Sequence, residues 1–137
     1  MTNSRPLKAI LLAAGLGKRL RPLTKILPKC LMPIKGTPLL EYWLASMYKQ
    51  NIKDVLVNVH YRSSEVIGFL SRPRFKKWVV YKEEKRLLGT AGTVRDNKEF
   101  LNNSPCLLIH ADNWCCCCLD EFINYHNNER PKDTLIT

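Results

Sequence analysis

Residues 7–19 read LKAILLAAGLGKR, an apolar run that ends in two glycines and two cations. An apolar run this short, without alternation, is typical of a strand that is buried on both faces of a sheet. Glycines directly after the run indicate a tight turn in which the backbone can approach a ligand closely. The stretch therefore predicts a central strand followed by a glycine turn at its carboxyl end.

Three more apolar runs along the chain predict further buried strands. They are Asp54–Val59 (DVLVNV), Trp78–Tyr81 (WVVY) and Cys106–Ile109 (CLLI). Residues 133–137 (DTLIT) indicate the opening of one more strand, so we expect residues 1–137 to form a single domain that is incomplete at its carboxyl end.

Helical patterns separate the predicted strands. The clearest follows Gly36, where Thr37 is suited to cap the helix and Pro38 to occupy its first turn. Its apolar stripe is predicted to face the core and consists of Leu39, Leu40, Trp43, Leu44, Met47 and Tyr48. Further helices are expected from Ser63 or Ser64 through Ser71, from Thr90 through Leu101 and from Leu119 through Asn128.

The alternation of strands and helices predicts an α/β fold, a Rossmann-like three-layer sandwich with a mostly parallel central sheet. Ligands of such sheets bind beyond the carboxyl ends of the strands. Polar or small residues follow each predicted strand and should converge on one crevice: residues 13–15, His60, residues 83–84 and residues 110–112.

Composition favours a soluble globular protein and argues against disordered, fibrous and membrane classes. Hydrophobic residues make up 45% and charged residues 25% of 137 residues. No apolar run approaches the length of a membrane span, and residues 1–6 lack the apolar stretch of a signal peptide. We therefore expect a cytoplasmic protein.

Six cysteines are present, and four of them are contiguous at residues 115–118. This arrangement differs from the spaced framework of a secreted disulfide scaffold, so reduced thiols are expected. Cys115 and Cys118 have CxxC spacing, but no second pair or suitably spaced histidine completes a zinc site. The run is predicted to pack as small apolar side chains with some liability to oxidation.

Positive charge is concentrated at the start of the chain. The net charge is +10, and residues 1–40 contain no acidic residue. They carry Arg5, Lys8, Lys18, Arg19, Arg21, Lys25, Lys29 and Lys35. By itself this charge is compatible with a solvated basic face or with non-specific nucleic-acid binding. Nucleic acid is the least favoured partner, because no aromatic residues are interleaved with the cations.

The glycine turn points towards phosphate instead. Backbone amides near Gly15 and Gly17, with Lys18 and Arg19 beside them, could cradle a di- or triphosphate. The segment matches neither a P-loop nor a complete GxGxxG motif, because Leu20 stands where the third glycine would be. Glycine spacing alone leaves phosphate binding and a purely structural turn open.

A longer comparison of motifs is more specific. Residues 12–44 (LAAGLGKRLRPLTKILPKCLMPIKGTPLLEYWL) resemble the amino-terminal signature of the sugar nucleotidylyltransferases. Residues 83–94 (EEKRLLGTAGTV) are similar to the second nucleotide-contacting segment of that family, and residues 110–113 (HADN) to its metal-bearing strand end. The resemblance implies transfer of a nucleoside monophosphate from a nucleoside triphosphate to a sugar 1-phosphate, with release of pyrophosphate and with Mg²⁺ as cofactor.

The resemblance also implies roles for individual residues. Arg19 and Lys29 would be catalytic, stabilising the leaving pyrophosphate and the α-phosphate region. The nucleotide-binding residues would be Ala13, Ala14, Gly15, Gly17, Lys18, Gly89 and Thr90, and Asp112 would be a Mg²⁺ ligand. Residues 88–92 (LGTAG) incline towards the mannose-1-phosphate guanylyltransferase-like branch.

The activity, the substrates and the oligomeric state stay open, and several polar residues are interpreted as structural or surface groups. In the family that these motifs resemble, a carboxyl-terminal half supplies the sugar-phosphate pocket and a second acidic ligand, so the alternative is an inactive nucleotide-binding or partner-binding module. The base, the sugar and homo-oligomer formation are open. Glu83 and Glu84 are interpreted as surface charges, and His60, His110 and His126 as polar strand-end or helix-surface groups.

Overall fold

The computed structural model describes residues 5–134 and 136–137. Its strands are β1 (Lys8–Leu12), β2 (Pro33–Ile34), β3 (Thr37–Pro38), β4 (Val55–Val59), β5 (Val79–Glu83) and β6 (Cys106–His110). Its α-helices are α1 (Leu39–Lys49), α2 (Ser63–Leu70), α3 (Gly89–Asp96), α4 (Lys98–Leu101) and α5 (Leu119–Asn124). Short 3₁₀ turns cover Lys18–Leu20, Leu23–Lys25 and Lys29–Leu31, and a π-helical turn, Tyr125–Glu129, follows α5.

A four-stranded parallel sheet with the order β5-β4-β1-β6 forms the centre of the fold. The register pairs Leu12 at the end of β1 with Asn58 in β4 and with His110 in β6. The carboxyl ends of these three strands are therefore level. The predicted α/β, Rossmann-like architecture with a mostly parallel sheet is confirmed.

Burial separates the inner strands from the edge strands. Every residue of β4 and the middle of β1 are buried, as predicted. The prediction of full burial is wrong for β5, where Val80 is 51% exposed, and for β6, whose residues alternate between buried and exposed. Both are edge strands of the described sheet, so neither has a neighbour on each side.

Helix α1 supplies much of the core through Leu40, Leu44 and Met47, which are fully buried. Burial of each such side chain stabilises the fold by about 2 kcal/mol. The predicted stripe is wrong at Tyr48, which is 60% exposed and lies against the Trp78 ring. Thr37 does not cap the helix, because it belongs to the β2–β3 hairpin.

Two other helix predictions need correction. Neither predicted serine caps α2, because the N-cap position is held by Arg62 in a left-handed conformation. The predicted helix from Thr90 to Leu101 is interrupted at Asn97, whose side chain donates a hydrogen bond to the Thr93 carbonyl. A side chain that bonds to the backbone in this way competes with the regular helix.

The last predicted helix is confirmed as α5 and the π-helical turn after it. The prediction of a strand at residues 133–137 is wrong for the four of these residues that the structure describes, because none of them pairs with another strand. The fifth, Leu135, lies outside the described residues. No helix in the described part of the chain is long and apolar enough to cross a membrane.

Candidate functional site

A cavity of about 210 Å³ opens at the carboxyl edge of the sheet, beyond the ends of β1, β4 and β6. Seven of the ten residues that the sequence analysis assigned to the site line it: Ala13, Ala14, Gly15, Lys29, Gly89, Thr90 and Asp112. Three segments that are far apart in the sequence therefore meet at one place. We refer to this space as the strand-end cavity.

The other three assigned residues, Gly17, Lys18 and Arg19, are not among the described residues that line the cavity. They follow the cavity-lining part of the glycine turn in the chain, and the side chains of Lys18 and Arg19 are exposed. Gly17 adopts φ 59°, a left-handed conformation that favours glycine, and its carbonyl accepts a hydrogen bond from Thr24 Oγ1 at 2.9 Å. The turn is thus anchored on the protein side and open on the solvent side.

Lys29 and Asp112 form an ion pair at the wall of the cavity. Lys29 Nζ lies 2.8 Å from Asp112 Oδ2, and the two side chains are 24% and 30% exposed. Lys29 begins a 3₁₀ turn, whereas Asp112 follows β6 by two residues. The next residue, Cys30, also lines the cavity, and burial raises the pKa of its thiol to about 12. Cys30 is therefore a neutral wall residue.

A buried polar network supports the opposite wall. Asn58 Oδ1 accepts a hydrogen bond from the Ala13 amide at 2.7 Å. Asn58 Nδ2 donates to Glu84 Oε1 at 2.9 Å and to Thr93 Oγ1 at 3.2 Å. The Thr93 hydroxyl also donates to Glu84 Oε1. Because every member is almost fully buried, these bonds hold the start of the glycine turn in one position.

Glu84 is not a surface charge, contrary to the sequence interpretation. It is 5% exposed, and its amide donates to the Val59 carbonyl at 2.8 Å, which extends the β4–β5 pairing by one residue. Its Oε2 atom accepts a longer hydrogen bond, 3.3 Å, from the Leu88 amide. Glu83 remains exposed and bonds to the Ser63 hydroxyl, so its interpretation as a surface residue is confirmed.

Sequence reasoning missed Asn58, Glu84 and Thr93. One signal was visible: Asn58 interrupts the run DVLVNV, and a polar residue inside a buried strand needs hydrogen-bond partners. The partners themselves come from β5 and α3, and no local pattern identifies them.

The three histidines occupy polar positions. Only His110 lines the strand-end cavity, while His60 Nδ1 lies 2.7 Å from the Glu84 carbonyl oxygen. His126 Nδ1 lies 2.6 Å from Thr137 Oγ1 at the surface. In the described parts of the chain, His, Cys, Asp and Glu side chains nowhere gather in a group of three or more that could hold a metal ion.

Cysteines 115–118 are all exposed, so the prediction that they pack as apolar side chains is wrong. They form the connection between β6 and α5, and the first side chain after them that reaches the core is Leu119. Cys30 is the buried thiol of the described chain.

Known proteins resemble this chain in sequence. The mannose-1-phosphate guanyltransferase of Yarrowia lipolytica is 29% identical over 134 residues, which cover 95% of this chain and 37% of that protein. The D-glycero-alpha-D-manno-heptose 1-phosphate guanylyltransferase of Campylobacter jejuni is 32% identical over 102 residues, covering 74% and 46%. The chain spans less than half the length of these relatives.

Solved structures share the fold. A putative glucose-1-phosphate thymidylyltransferase from Bacillus anthracis superposes with a TM-score of 0.81 at 24% identity, over 90% of this chain and 51% of that one. The CTP:phosphocholine cytidylyltransferase of Streptococcus pneumoniae superposes with a TM-score of 0.69 at 30% identity, over 82% and 48%.

The family comparison covers nearly the whole sequence. Residues 8–137 match the Nucleotidyl transferase family, from the first residue of β1 to the last residue of the chain. The matched range includes the glycine turn, the Lys29–Asp112 pair and the buried network beneath the cavity. The chain therefore belongs to the nucleotidyl transferase family.

Proposed function

We propose that this chain forms the nucleotide-binding part of a nucleotidylyltransferase. The reaction transfers a nucleoside monophosphate from a nucleoside triphosphate to a sugar 1-phosphate and releases pyrophosphate. The observation that carries the proposal is the strand-end cavity, where the glycine turn, Gly89–Thr90 and the Lys29–Asp112 pair meet. The names of the guanyltransferase relatives support a sugar 1-phosphate as acceptor and GTP as the first donor to test.

In this reaction an oxygen of the sugar phosphate attacks the α-phosphorus, and the pyrophosphate leaves on the opposite side. The protein needs to align two anions and to offset their repulsion, rather than to supply covalent chemistry. Ala13, Ala14 and Gly15 offer backbone and small side chains, which permit close approach of a ligand at the end of β1. Gly89 and Thr90 line the side of the cavity where the base and ribose would lie.

Lys29 is the cation best placed for the α-phosphate. Its ammonium group lies at the cavity wall, and its partner in the absence of nucleotide is Asp112. A triphosphate in the cavity would compete with Asp112 for Lys29 through its larger negative charge. Lys29 then changes partner from carboxylate to phosphate, which leaves Asp112 available for a cation.

Mg²⁺ fits the residues present at Asp112. Mg²⁺ is usually held by one or two carboxylates together with water and substrate phosphates. Asp112 provides a carboxylate on the cavity wall, whereas Glu84 Oε1 is already bonded to Asn58 and Thr93. When bound, Mg²⁺ would neutralise phosphate charge and favour departure of the pyrophosphate.

Arg19 and Lys18 are proposed to bind the β- and γ-phosphates. Both side chains project from the exposed 3₁₀ turn Lys18–Leu20, beside the mouth of the cavity rather than inside it. A guanidinium group donates a planar pair of hydrogen bonds to phosphate oxygens, which suits Arg19 to the leaving pyrophosphate. These contacts require the outer part of the turn to close over the nucleotide.

A second candidate is a module that binds nucleotide without catalysis. It rests on the same observation, because the motifs assigned to nucleotide binding are those that line the cavity. The two candidates share the same cavity and differ only in turnover.

Calorimetric titration with GTP, dTTP, CTP and UTP in the presence of Mg²⁺, followed by a pyrophosphate-release assay, tests both candidates. The acceptors are mannose 1-phosphate, glucose 1-phosphate and phosphocholine. Binding with release of pyrophosphate supports the enzyme, and binding without release supports the module. Failure of all four nucleotides to bind contradicts both.

Two variants test whether Mg²⁺-dependent nucleotide binding depends on the carboxylate of Asp112. Asp112→Asn removes the carboxylate at the cavity and should lower Mg²⁺-dependent nucleotide affinity about tenfold or more. Asp120→Asn removes the same charge from an exposed position of α5 and should leave affinity unchanged. If both variants lost the same nucleotide affinity, the affinity would depend on the net charge of the chain and not on the position of Asp112.

A further inference from the structure

The connection between β6 and α5 contains four consecutive exposed cysteines, residues 115–118, which the proposed function does not use. Two of them are in contact: the Cys117 amide donates a hydrogen bond to Cys115 Sγ over 3.3 Å. Side chains at positions i and i+2 of an extended chain lie on the same side, so a contact between these two residues is sterically accessible along this connection. The first and third cysteines of the run meet through the Cys117 amide and Cys115 Sγ.

The contact also makes the two thiols unequal. A hydrogen bond to the Cys115 side chain, followed by desolvation, raises the pKa of the Cys117 thiol. The Cys117 thiol is therefore less readily ionised than an ordinary exposed thiol, and Cys115 Sγ accepts the Cys117 amide. We accordingly assign Cys117 the role of the resolving sulfur and Cys115 that of the attacking sulfur.

The other thiols of the chain provide a contrast. Burial raises the pKa of Cys30 to about 12 and also raises the pKa of Cys106. Neither residue contacts the 115–118 run through a hydrogen bond in the described structure. Reactivity of thiols depends on both exposure and thiolate character. Cys30 is buried and so fails the first condition, whereas Cys106 is exposed but lies in β6 rather than in the 115–118 run.

We propose that Cys115 and Cys117 form a reversible dithiol–disulfide site, with a small-molecule disulfide such as oxidised glutathione as the oxidant. The Cys115 thiolate attacks one sulfur of oxidised glutathione, and the first glutathione leaves as a thiolate. Cys117 loses its proton and attacks Cys115 Sγ in the mixed disulfide, and the second glutathione leaves. Two protein thiols are oxidised by two electrons, and one glutathione disulfide is reduced to two thiols. Excess reduced glutathione reverses both steps.

The disulfide would enclose a single residue, Cys116, and such a short ring is strained. Strained and exposed disulfides are easily reduced and are typical of labile rather than structural bridges. The site therefore responds to the redox state of its surroundings instead of stabilising the fold.

Contacts of helix α1 hold the residues that connect Asp112, at the strand-end cavity, to Cys115. Trp43 Nε1 donates a hydrogen bond to the Asn113 carbonyl at 2.9 Å, and the Tyr42 and Trp114 rings meet edge to face with centroids 4.7 Å apart. Helix α1 thus holds the residues between Asp112 and Cys115. Closure of the disulfide next to this anchored stretch changes the surroundings of the Trp114 ring.

Equilibration of the full chain in glutathione buffers of increasing oxidised fraction tests the proposal. Free thiols are then trapped with an alkylating agent, and the peptides are identified by mass spectrometry. The wild-type chain should form an intramolecular Cys115–Cys117 disulfide that dithiothreitol reverses. Cys115→Ser and Cys117→Ser should lower the total yield of intramolecular disulfide within residues 115–118 about tenfold or more, whereas Cys118→Ser, the matched control, should retain it.

Three results would overturn the proposal: stable mixed disulfides with glutathione, only intermolecular bridges, or a bridge that survives in Cys117→Ser but is lost in Cys118→Ser. A change in tryptophan emission on oxidation, absent in Cys115→Ser and reduced in Trp114→Phe, supports it. Unchanged emission alongside a fully formed bridge contradicts the link to Trp114. None of these readouts involves nucleotide, so failure of the proposed nucleotide binding is detected separately.

Discussion

The two sides of the strand-end cavity are built differently. On the side of β4 and β5, Asn58, Glu84 and Thr93 are buried and bonded to one another, and Asn58 also holds the Ala13 amide. On the phosphate side, Lys18 and Arg19 are exposed on a short 3₁₀ turn. The first side is held by bonds within the protein, whereas the second presents its cations to solvent.

This difference has a physical cause. A buried polar group without a partner is costly, so the groups beneath the cavity must be fully bonded within the protein. Cations that bind a polyphosphate have the opposite requirement, because a partner in the protein would compete with the ligand. Lys29 is intermediate between these two cases. It has a partner within the protein, Asp112, but a nucleotide phosphate can take the place of that carboxylate. Substitutions on each side should therefore affect different properties.

The largest expected effect is a loss of stability in Asn58→Leu. The leucine has a similar volume but leaves the Ala13 amide without its acceptor and removes one of the donors to Glu84. We expect the free energy of unfolding to fall by about 3 kcal/mol. Urea unfolding followed by circular dichroism measures this change. Asn127→Leu, at an exposed position, should shift stability by less than about 0.5 kcal/mol, and equal stability of the two variants would contradict the role of the network.

The next effect concerns Gly17, which links the two sides. An added Cβ would lie 2.6 Å from Thr24 Cγ2, and φ 59° disfavours any residue with a side chain. Gly17→Ala should destabilise the chain by about 2 kcal/mol in thermal or urea unfolding. Gly15→Ala is the matched control, because no atom lies within 4 Å of its added Cβ.

A double variant separates the two causes at Gly17. Thr24→Ser removes the Cγ2 methyl while keeping the hydroxyl that bonds to the Gly17 carbonyl. In that background Gly17→Ala should lose only the conformational part, about 1 kcal/mol. An unchanged penalty would show that the contact with Thr24 is unimportant.

On the phosphate side the expected effect is on binding instead of stability. Lys29→Met should weaken Mg²⁺–GTP binding about tenfold, since it removes a charge at the cavity wall. Its partly exposed pair with Asp112 should contribute less than about 1 kcal/mol to stability. Lys25→Met removes the same charge from an exposed neighbouring turn, and calorimetry should find affinity close to wild type. Equal weakening by both variants would indicate a diffuse electrostatic effect.

The smallest predicted effect is the pH dependence of the free energy of unfolding that Cys30 causes. Its pKa is raised from 9.0 to about 12 in the folded chain by burial, so folding favours the neutral thiol. The stabilisation is complete below pH 9 and is lost as the pH rises towards 12, by about 1 kcal/mol at pH 10. Urea unfolding of wild type and Cys30→Ala at pH 8 and pH 10 measures it. The wild type should lose about 1 kcal/mol more than the variant, and identical losses would contradict this cause.

Much of the architecture follows from local patterns. The run LKAILL and the three later apolar runs correspond to β1, β4, β5 and β6 within one or two residues at each end. The register among them was not visible in the sequence, because it depends on pairing between distant segments, such as Ala9 with Val55 and Lys8 with Cys106. Edge exposure of β5 and β6 was equally hidden, since strand order is a property of the whole sheet.

The sequence by itself determined the apolar strand runs, the glycine turn and the cation-rich opening, because each depends on residue type and short-range spacing. The seven assigned residues that line the cavity were implied by the resemblance of the longer motifs to the sugar nucleotidylyltransferases. Only the tertiary structure decided that Glu84 is buried, that Asn58 holds the glycine turn, that Lys29 pairs with Asp112 and that Cys115 contacts Cys117. The first three depend on contacts between distant segments, and the last on the local conformation of residues 115–117. Hydrogen bonds and ion pairs act over about 3 Å, so they form only after packing has placed their partners side by side.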